Sequence, residues 1–124
     1  MLQSLHGRVR DRLLPLAEKA LEVRGITAWV AVSDNIAFLL LDFLRARGVK
    51  VPQELSVVGF DDMELTIGAG LTSYNFNMPA IVDAMLQHIL KRDWSRSRLQ
   101  QVEVPGYVVA RQTSGPAARL TVAR

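Results

Sequence analysis

The sequence predicts an α/β fold in which a parallel sheet is flanked by helices. Short β-branched runs alternate with longer stretches whose apolar residues recur at helical spacing, the pattern of βαβ units. The clearest unit runs from a strand at 27–32 through a helix at 35–47 to a second strand at 55–60. A strand, a crossover helix and a returning strand imply parallel strands and a right-handed crossover.

Composition indicates one globular domain with a modest core. The chain has 124 residues, of which 49% are hydrophobic and 22% are charged. It has no cysteine and only two histidines, so we expect no disulfide, no metal site and no cofactor. The net charge of +3 comes from Arg and Lys residues spread along the chain, which does not single out a nucleic-acid surface. The longest apolar run, Ile36 to Leu41, is too short to span a bilayer, and residues 1–4 do not read as a signal peptide. We therefore expect a cytoplasmic location and no membrane partner.

A first helix is predicted from Arg8 to Arg24, after frayed residues 1–7. Gly25 is the expected stop, because glycine readily adopts the left-handed conformation that ends helices. Pro15 either kinks this helix or stands in the first turn of a shorter one.

The second helix follows Ser33-Asp34-Asn35, whose side chains are of the types that cap helix N-termini. Its apolar residues fall on two sides. The stripe predicted to face the sheet contains Ile36, Leu39, Leu40 and Phe43. The opposite side carries Phe38 and Leu41 beside Arg45. These residues are either scattered exposed apolar side chains or a subunit or domain contact, and we favour the contact.

The rest of the chain continues the alternation less regularly. We expect a loop or helical turn at 63–71, a strand at 72–76 and a helix from the cap Asn77 to about Arg92. The inner side of that helix is predicted to contain Ile81, Ala84, Met85, His88 and Ile89. Strand candidates at 102–104 and 107–110 flank the Pro105-Gly106 turn, and a loose tail follows.

Polar side chains follow the two strands of the βαβ unit where each strand ends. These are Ser33-Asp34-Asn35 and Asp61-Asp62. If the strands are parallel neighbours, both clusters lie at one sheet edge, where open α/β sheets bind ligands. Carboxylates and an amide that converge there suit a polyhydroxylated ligand, because a carboxylate accepts two bonds from vicinal hydroxyls. Helix capping alone is the alternative for the first cluster, and a simple turn is the alternative for the second.

Several ordered motifs between Ile26 and Ser114 carry a family resemblance. They are A-W-V-A-V-S-D-N-I-A-F, L-R-A-R-G-V, V-P-x-x-L-S-V-V-G-F-D-D, L-T-S-Y and V-P-G-Y-V-V-A-R-Q-T-S. Together they resemble the effector-binding domain of the lactose/galactose-repressor (LacI/GalR) family of transcription regulators. The DNA-binding headpiece and roughly the first half of that sensor have no counterpart here. The resemblance implies the C-terminal portion of a type I periplasmic-binding-protein-like sensor.

The resemblance also implies domain organisation and site residues. Residues 8–71 would belong mostly to one lobe, 72–101 to a crossover and part of the other lobe, 102–114 to terminal strands and 115–124 to a tail. Asp61 matches a recurrent effector ligand, and Ser33 stands where the family usually has Asn. The apolar wall of the effector site falls on Met78, with Phe76 as a near alternative, although core packing is the other interpretation of both. The resemblance further implies a homodimer whose interface includes the helix with Phe38, Leu41 and Arg45.

The function implied is sensing of a small effector, a sugar or sugar derivative, that controls DNA binding by a headpiece not present in this chain. A fragment of a periplasmic sugar-binding protein of a transporter is the main alternative. A phospho-acceptor domain also places Asp at a strand end, but no Lys follows a later strand as that site requires. We expect no enzymatic activity, because the chain has no G-x-S-x-G or P-loop motif and adjacent Asp61 and Asp62 make a poor acid–base pair.

Overall fold

A computed structural model describes residues 2–90 and 101–117, with side chains described from residue 7 onward. Helices and strands alternate along the chain, as the sequence predicts. In chain order the elements are α1 (Leu2–Leu21), β1 (Ala28–Val30), α2 (Asp34–Ala46), β2 (Ser56–Phe60), α3 (Leu65–Ala69), β3 (Thr72–Asn75), α4 (Met78–Leu90) and β4 (Tyr107–Val109). The predicted end of the last helix at Arg92 lies outside the described residues. So does the part of the predicted 115–124 tail that begins at residue 118.

The described strands form one sheet in the order β1-β2-β3-β4. The first three strands are parallel, with Val30 paired to Val58 and Phe60 paired to Tyr74. The last strand is antiparallel to β3, so the sheet is mixed with mostly parallel strands, and the predicted fold class of a parallel sheet flanked by helices is confirmed. Gly106 lets the chain turn into β4, because a Cβ there would lie 2.5 Å from the Asn75 carbonyl oxygen. The predicted strand at 102–104 is wrong, since no strand is assigned there.

One face of the sheet is covered by α2. The core lies between them and includes Ala37, Leu40, Phe43 and Leu44 of the helix with Val57 of β2 and Leu71, which precedes β3. Leu40 and Phe43 are buried as predicted, whereas Ile36 and Leu39 are only half-buried. Phe38 and Leu41 are also half-buried and pack against the core, so they are less exposed than the helical pattern suggests. Arg45 is exposed beside Asp42.

The first helix begins at Leu2, which is earlier than predicted, and it continues through Pro15 to Leu21. It is therefore longer than the predicted helix. Proline has no N–H to donate to the preceding turn, so α1 tolerates one missing hydrogen bond at that point. Ala17 is its buried contact with the core, and Leu16 remains exposed. No described helix is both long and apolar enough to cross a membrane.

The last helix, α4, has no buried residue. Its predicted inner side instead lines an open apolar groove of about 530 Å³, together with two valines that precede β4. The groove residues are Ile81, Ala84, Met85, His88, Ile89, Val102 and Val104. His88 is exposed rather than at the edge of a core. The apolar residues recur along one side of α4 as predicted. Within the described residues, however, nothing packs against this apolar side.

Candidate functional site

The carboxyl ends of β1 and β2 bring the two predicted polar clusters to one edge of the sheet. Val30 pairs with Val58 in the parallel register, and Ser33 and Asp61 each stand three residues further along. Parallel strands end at the same edge, so the two clusters are neighbours. The expectation that the strands are adjacent and parallel is confirmed, and the roles of the individual side chains follow from their surroundings.

Ser33 caps α2. Its backbone is extended (φ −160°, ψ 163°), and its hydroxyl oxygen accepts a hydrogen bond from the Ile36 amide at 3.4 Å. This satisfies one of the N–H groups that a helix start leaves unpaired. Ser33 is half-buried at the sheet edge. Asn35 is exposed on the first turn of the same helix.

Asp34 lies fully inside the protein. One carboxylate oxygen accepts a bond from the Ser73 hydroxyl at 2.6 Å, and the other accepts from the Met63 amide at 2.7 Å. Gly59 makes this approach possible, because a Cβ there would lie 2.2 Å from the nearer Asp34 oxygen. With no exposed surface and both oxygens occupied, Asp34 links α2 to the strand ends and is not open to a ligand.

Asp61 and Asp62 are adjacent but face opposite environments. Asp61 is exposed, and its amide donates to the Tyr74 carbonyl oxygen at 3.1 Å. Its carboxylate accepts no hydrogen bond from any described residue. Asp62 turns inward, and its carboxylate accepts from Thr66 at 3.1 Å, Asn75 at 2.8 Å and Arg111 at 2.7 Å. Of these two adjacent aspartates, Asp61 is therefore the one whose carboxylate is free to accept hydrogen bonds from a ligand.

The charge state of Asp62 is set by these bonds. Burial by itself raises the pKa of its carboxyl group. Hydrogen bonds from Asn75, Arg111 and Thr66, with the positive charge of Arg111, outweigh burial and lower the pKa below its ordinary value. Asp62 is therefore ionised near neutral pH and serves as a fixed acceptor for three neighbouring segments.

Three aromatic rings cluster on the sheet face that α2 does not cover, and one of them belongs to Phe60, the residue before Asp61. Phe60 and Tyr74 are 5.2 Å apart between ring centroids, and Phe76 lies 5.9 Å from Phe60 and 5.2 Å from Tyr74. The Phe76 ring is 40% exposed. An exposed aromatic face beside a free carboxylate can stack on an apolar ring face while the carboxylate accepts hydroxyl hydrogens.

Sequence reasoning found Phe76 but missed its two partners. Tyr74 lies on β3 and Phe76 directly follows that strand, and their spacing of two residues, which is visible in the sequence, is typical of side chains on one face. The contribution of Phe60 depends on its register with Tyr74, which only the paired strands reveal. Met78, the other predicted wall residue, is the first residue of α4 and is 57% exposed. It follows Asn77, whose φ of 58° turns the chain out of β3.

The described residues contain no group of three or more His, Asp or Glu that could hold a metal ion. The site is therefore a set of hydrogen-bond acceptors and an aromatic surface at one sheet edge. Groups of this kind can recognise a neutral, hydroxyl-bearing molecule, and such recognition needs no acid–base pair.

Comparisons with known proteins place this chain in a family. Residues 3–114 match the periplasmic binding protein-like domain. An HTH-type transcriptional regulator of Mycolicibacterium smegmatis is 36% identical over 104 residues, which are 82% of this chain and 28% of that protein. A LacI transcriptional regulator from a Rhodococcus species superposes with a TM-score of 0.70 at 30% identity, covering 82% of this chain and 39% of that one.

A LacI-family regulator from Lactobacillus casei with bound sucrose has a TM-score of 0.57 at 27% identity, covering 71% of this chain and 33% of that one. The chain spans well under half the length of these relatives. The match includes the helices, the sheet and the strand ends described above. The chain therefore belongs to the family of periplasmic binding protein-like domains, in the form that LacI-family transcriptional regulators carry as their effector-binding domain.

Proposed function

We propose that this chain is the C-terminal part of a sensor that binds a sugar or sugar derivative and thereby controls transcription. The observations that carry the proposal are the exposure of Asp61 and the Phe60–Tyr74–Phe76 cluster, whose Phe60 directly precedes Asp61 in the chain. A pyranose or furanose presents hydroxyl groups along its rim and C–H groups on its face, and these two parts match the two parts of the site. The sucrose bound by the Lactobacillus casei relative supports the same ligand class.

In this proposal Asp61 is the principal ligand. Its free carboxylate accepts hydrogen bonds from vicinal hydroxyls, and Phe76 provides the stacking face. Ser33 and Asn35 supply further polar contacts from the start of α2, and Met78 lines the side towards α4. Asp34 is left out of the ligand set, because it is buried with both oxygens already bonded.

The proposed mechanism is a change in the arrangement of two lobes. Residues 8–71 form most of one side of the cleft, residues 72–101 provide a crossover and part of the other lobe, and residues 102–114 complete the terminal strands. An effector shifts such an equilibrium only by its different affinity for the two arrangements. The DNA contact is made by a headpiece outside this chain, so the protein acts in the cytoplasm as a regulator rather than as an enzyme. The half-buried apolar residues Phe38 and Leu41, with Arg45 beside them, are proposed to contact a second copy.

A calorimetric titration with D-ribose, L-arabinose, sucrose and cellobiose tests the proposal. It uses the natural gene product that carries these residues. Removing the carboxylate with Asp61→Ala should lower the affinity for the best-binding sugar by about 10- to 100-fold, because that is the usual cost of losing a charged hydrogen bond. It should also raise the sugar concentration that releases DNA by the same factor. Glu64→Ala is the matched control, because Glu64 is an exposed carboxylate in the same loop.

Unchanged affinity in Asp61→Ala would remove Asp61 from the site. Equal losses in Asp61→Ala and Glu64→Ala would indicate a general effect of negative charge in the loop rather than a specific contact. The transporter alternative predicts sugar binding without any effect on DNA, so the DNA measurement separates the two functions.

A further inference from the structure

The loop that carries Asp61 has a backbone conformation that needs support. Asp61 has a φ of 107° and Asp62 a φ of 51°, so two consecutive residues with side chains lie in the region that favours glycine. A residue with a side chain is strained in this region, and the conformation persists only where surrounding contacts fix it. The direction in which Asp61 points therefore depends on whatever holds this loop.

Asp62 provides that support through its side chain. One carboxylate oxygen accepts from the Thr66 hydroxyl and from Arg111, and the other accepts from the Asn75 amide group. These partners belong to α3, to β3 and to the segment after β4. The side chains of Asp62 and Arg111 are only 11% and 16% exposed, so solvent weakens this ion pair much less than a surface pair.

Arg111 is itself fixed in place. One arm of its guanidinium donates to the Leu71 carbonyl oxygen at 2.8 Å, while the other reaches Asp62. Its backbone amide donates to the Thr72 hydroxyl at 2.8 Å. The planar fork of arginine can hold two acceptors in fixed directions, which the single ammonium group of lysine cannot do.

The three amides of the loop are each held by a different acceptor. The Asp61 amide donates to the Tyr74 carbonyl, the Asp62 amide donates to the Ser73 hydroxyl at 3.1 Å, and the Met63 amide donates to Asp34. The Ser73 hydroxyl in turn donates to Asp34. The loop is thus bonded along its backbone on one side and through the Asp62 side chain on the other.

We propose that Asp62 and Arg111 are positioning residues that hold the Asp61 carboxylate at the sheet edge for the effector. The inference rests on the proposed function for its ligand, but the support of the loop can be measured without any sugar. Arg111 belongs to the terminal segment and Asn75 to the strand that leads into α4. The pair therefore also connects the Asp61 loop to the strand that leads into the proposed crossover and to the terminal segment after β4.

Amide hydrogen exchange, read residue by residue by NMR, tests the support directly. In Asp62→Asn and in Arg111→Lys, exchange at Asp61, Asp62 and Met63 should accelerate by about tenfold, while amides in the middle of β2 keep their protection. Asp83→Asn makes the same chemical change on the exposed side of α4 and should change nothing at the loop. Unchanged exchange at all three loop amides would overturn the proposal.

A double-mutant cycle on sugar affinity tests the positioning role, using whichever of the four sugars binds the parent protein. Asp62→Asn should weaken binding by about tenfold when Asp61 is present and add little when Asp61→Asn has already removed the ligand charge. Equal losses in both backgrounds would mean that Asp62 acts independently of Asp61, and the proposal would be wrong. If none of the sugars binds the parent, the proposed function fails, while the exchange rates still decide whether Asp62 and Arg111 hold the loop.

Discussion

At the residue scale, the contrast between Asp61 and Asp62 comes from backbone conformation rather than from residue type. Side chains of a regular strand alternate between faces, so two adjacent aspartates should point to opposite sides of the sheet. Asp61 and Asp62 lie beyond the end of β2 and have positive φ angles. The alternation of a regular strand therefore does not determine where their side chains point. One carboxylate reaches solvent, and the other reaches Arg111. The sequence shows that two aspartates follow the strand. It does not show which carboxylate is exposed and which one turns inward.

The lowered pKa of Asp62 predicts a contribution to acid stability. Because the folded pKa lies below the ordinary value of 3.8, the unfolded chain binds more protons as the pH falls. The stabilisation is therefore fully present above pH 3.8 and is lost as the pH decreases through the folded pKa. In thermal melts near neutral pH, the parent should unfold at a higher temperature than Asp62→Asn. This difference in melting temperature should become smaller as the pH falls below 3.8.

The control for this measurement is Asp83→Asn, whose carboxylate is exposed on α4. Its melting temperature should follow that of the parent at every pH. A difference between parent and Asp62→Asn that stays constant down to the most acidic pH would show that the Asp62 carboxylate contributes no pH-dependent stability, contrary to the lowered pKa.

At the scale of the elements, the start of α2 combines an observed structural role with a proposed role in recognition. Ser33 caps the helix, Asp34 is buried beneath it and Asn35 is exposed above it. Capping and ligand binding remained open alternatives for this cluster in the sequence. The cap bond is now observed, and whether the same hydroxyl also contacts a sugar stays a prediction.

Substitution of Ser33 separates the two roles. Ser33→Ala removes the acceptor of the Ile36 amide and should lower the free energy of unfolding by about 1 kcal/mol, measured by urea denaturation. Ser33→Asp keeps a good capping oxygen and should preserve stability, but it adds a charge beside Asp61. If Ser33 touches the sugar, both variants lose affinity. If it only caps the helix, Ser33→Ala binds sugar as the parent does.

The sequence predicted the βαβ unit well because its signals are local. Caps, stops and apolar runs lie within the segment they define, and the registered pairs of β1 and β2 agree with them. The surroundings of α4 and β4 were not predictable in the same way. An apolar side on α4 indicates that something packs there, but the pattern does not say whether the partner lies within the chain. The direction of β4 depends on how the chain returns after α4, which no local pattern specifies.

At the scale of the whole molecule, the described fold leaves large apolar surfaces uncovered. The strand registers place Val30 and Val58 on the sheet face opposite α2, together with Phe60, Tyr74 and Val108. Val30 is 68% exposed and Val32, just beyond β1, is 84% exposed. The groove along α4 is a second such surface. Within the described residues β1 is an edge strand, so it also presents unpaired backbone groups.

These surfaces predict that the isolated 124-residue chain self-associates. Contiguous apolar patches and free strand edges are favourable contact sites between copies, because association removes them from water. Sedimentation velocity over a concentration series should show a sedimentation coefficient that increases with concentration. The double variant Val30→Lys/Val32→Lys places two charges on the uncovered face and should shift the equilibrium towards monomer. Gln53→Lys/Gln101→Lys adds the same charge at exposed polar positions and should not shift the equilibrium.

A strictly monomeric parent at the highest concentration would contradict the prediction. Equal dissociation by both double variants would attribute association to net charge rather than to the apolar face.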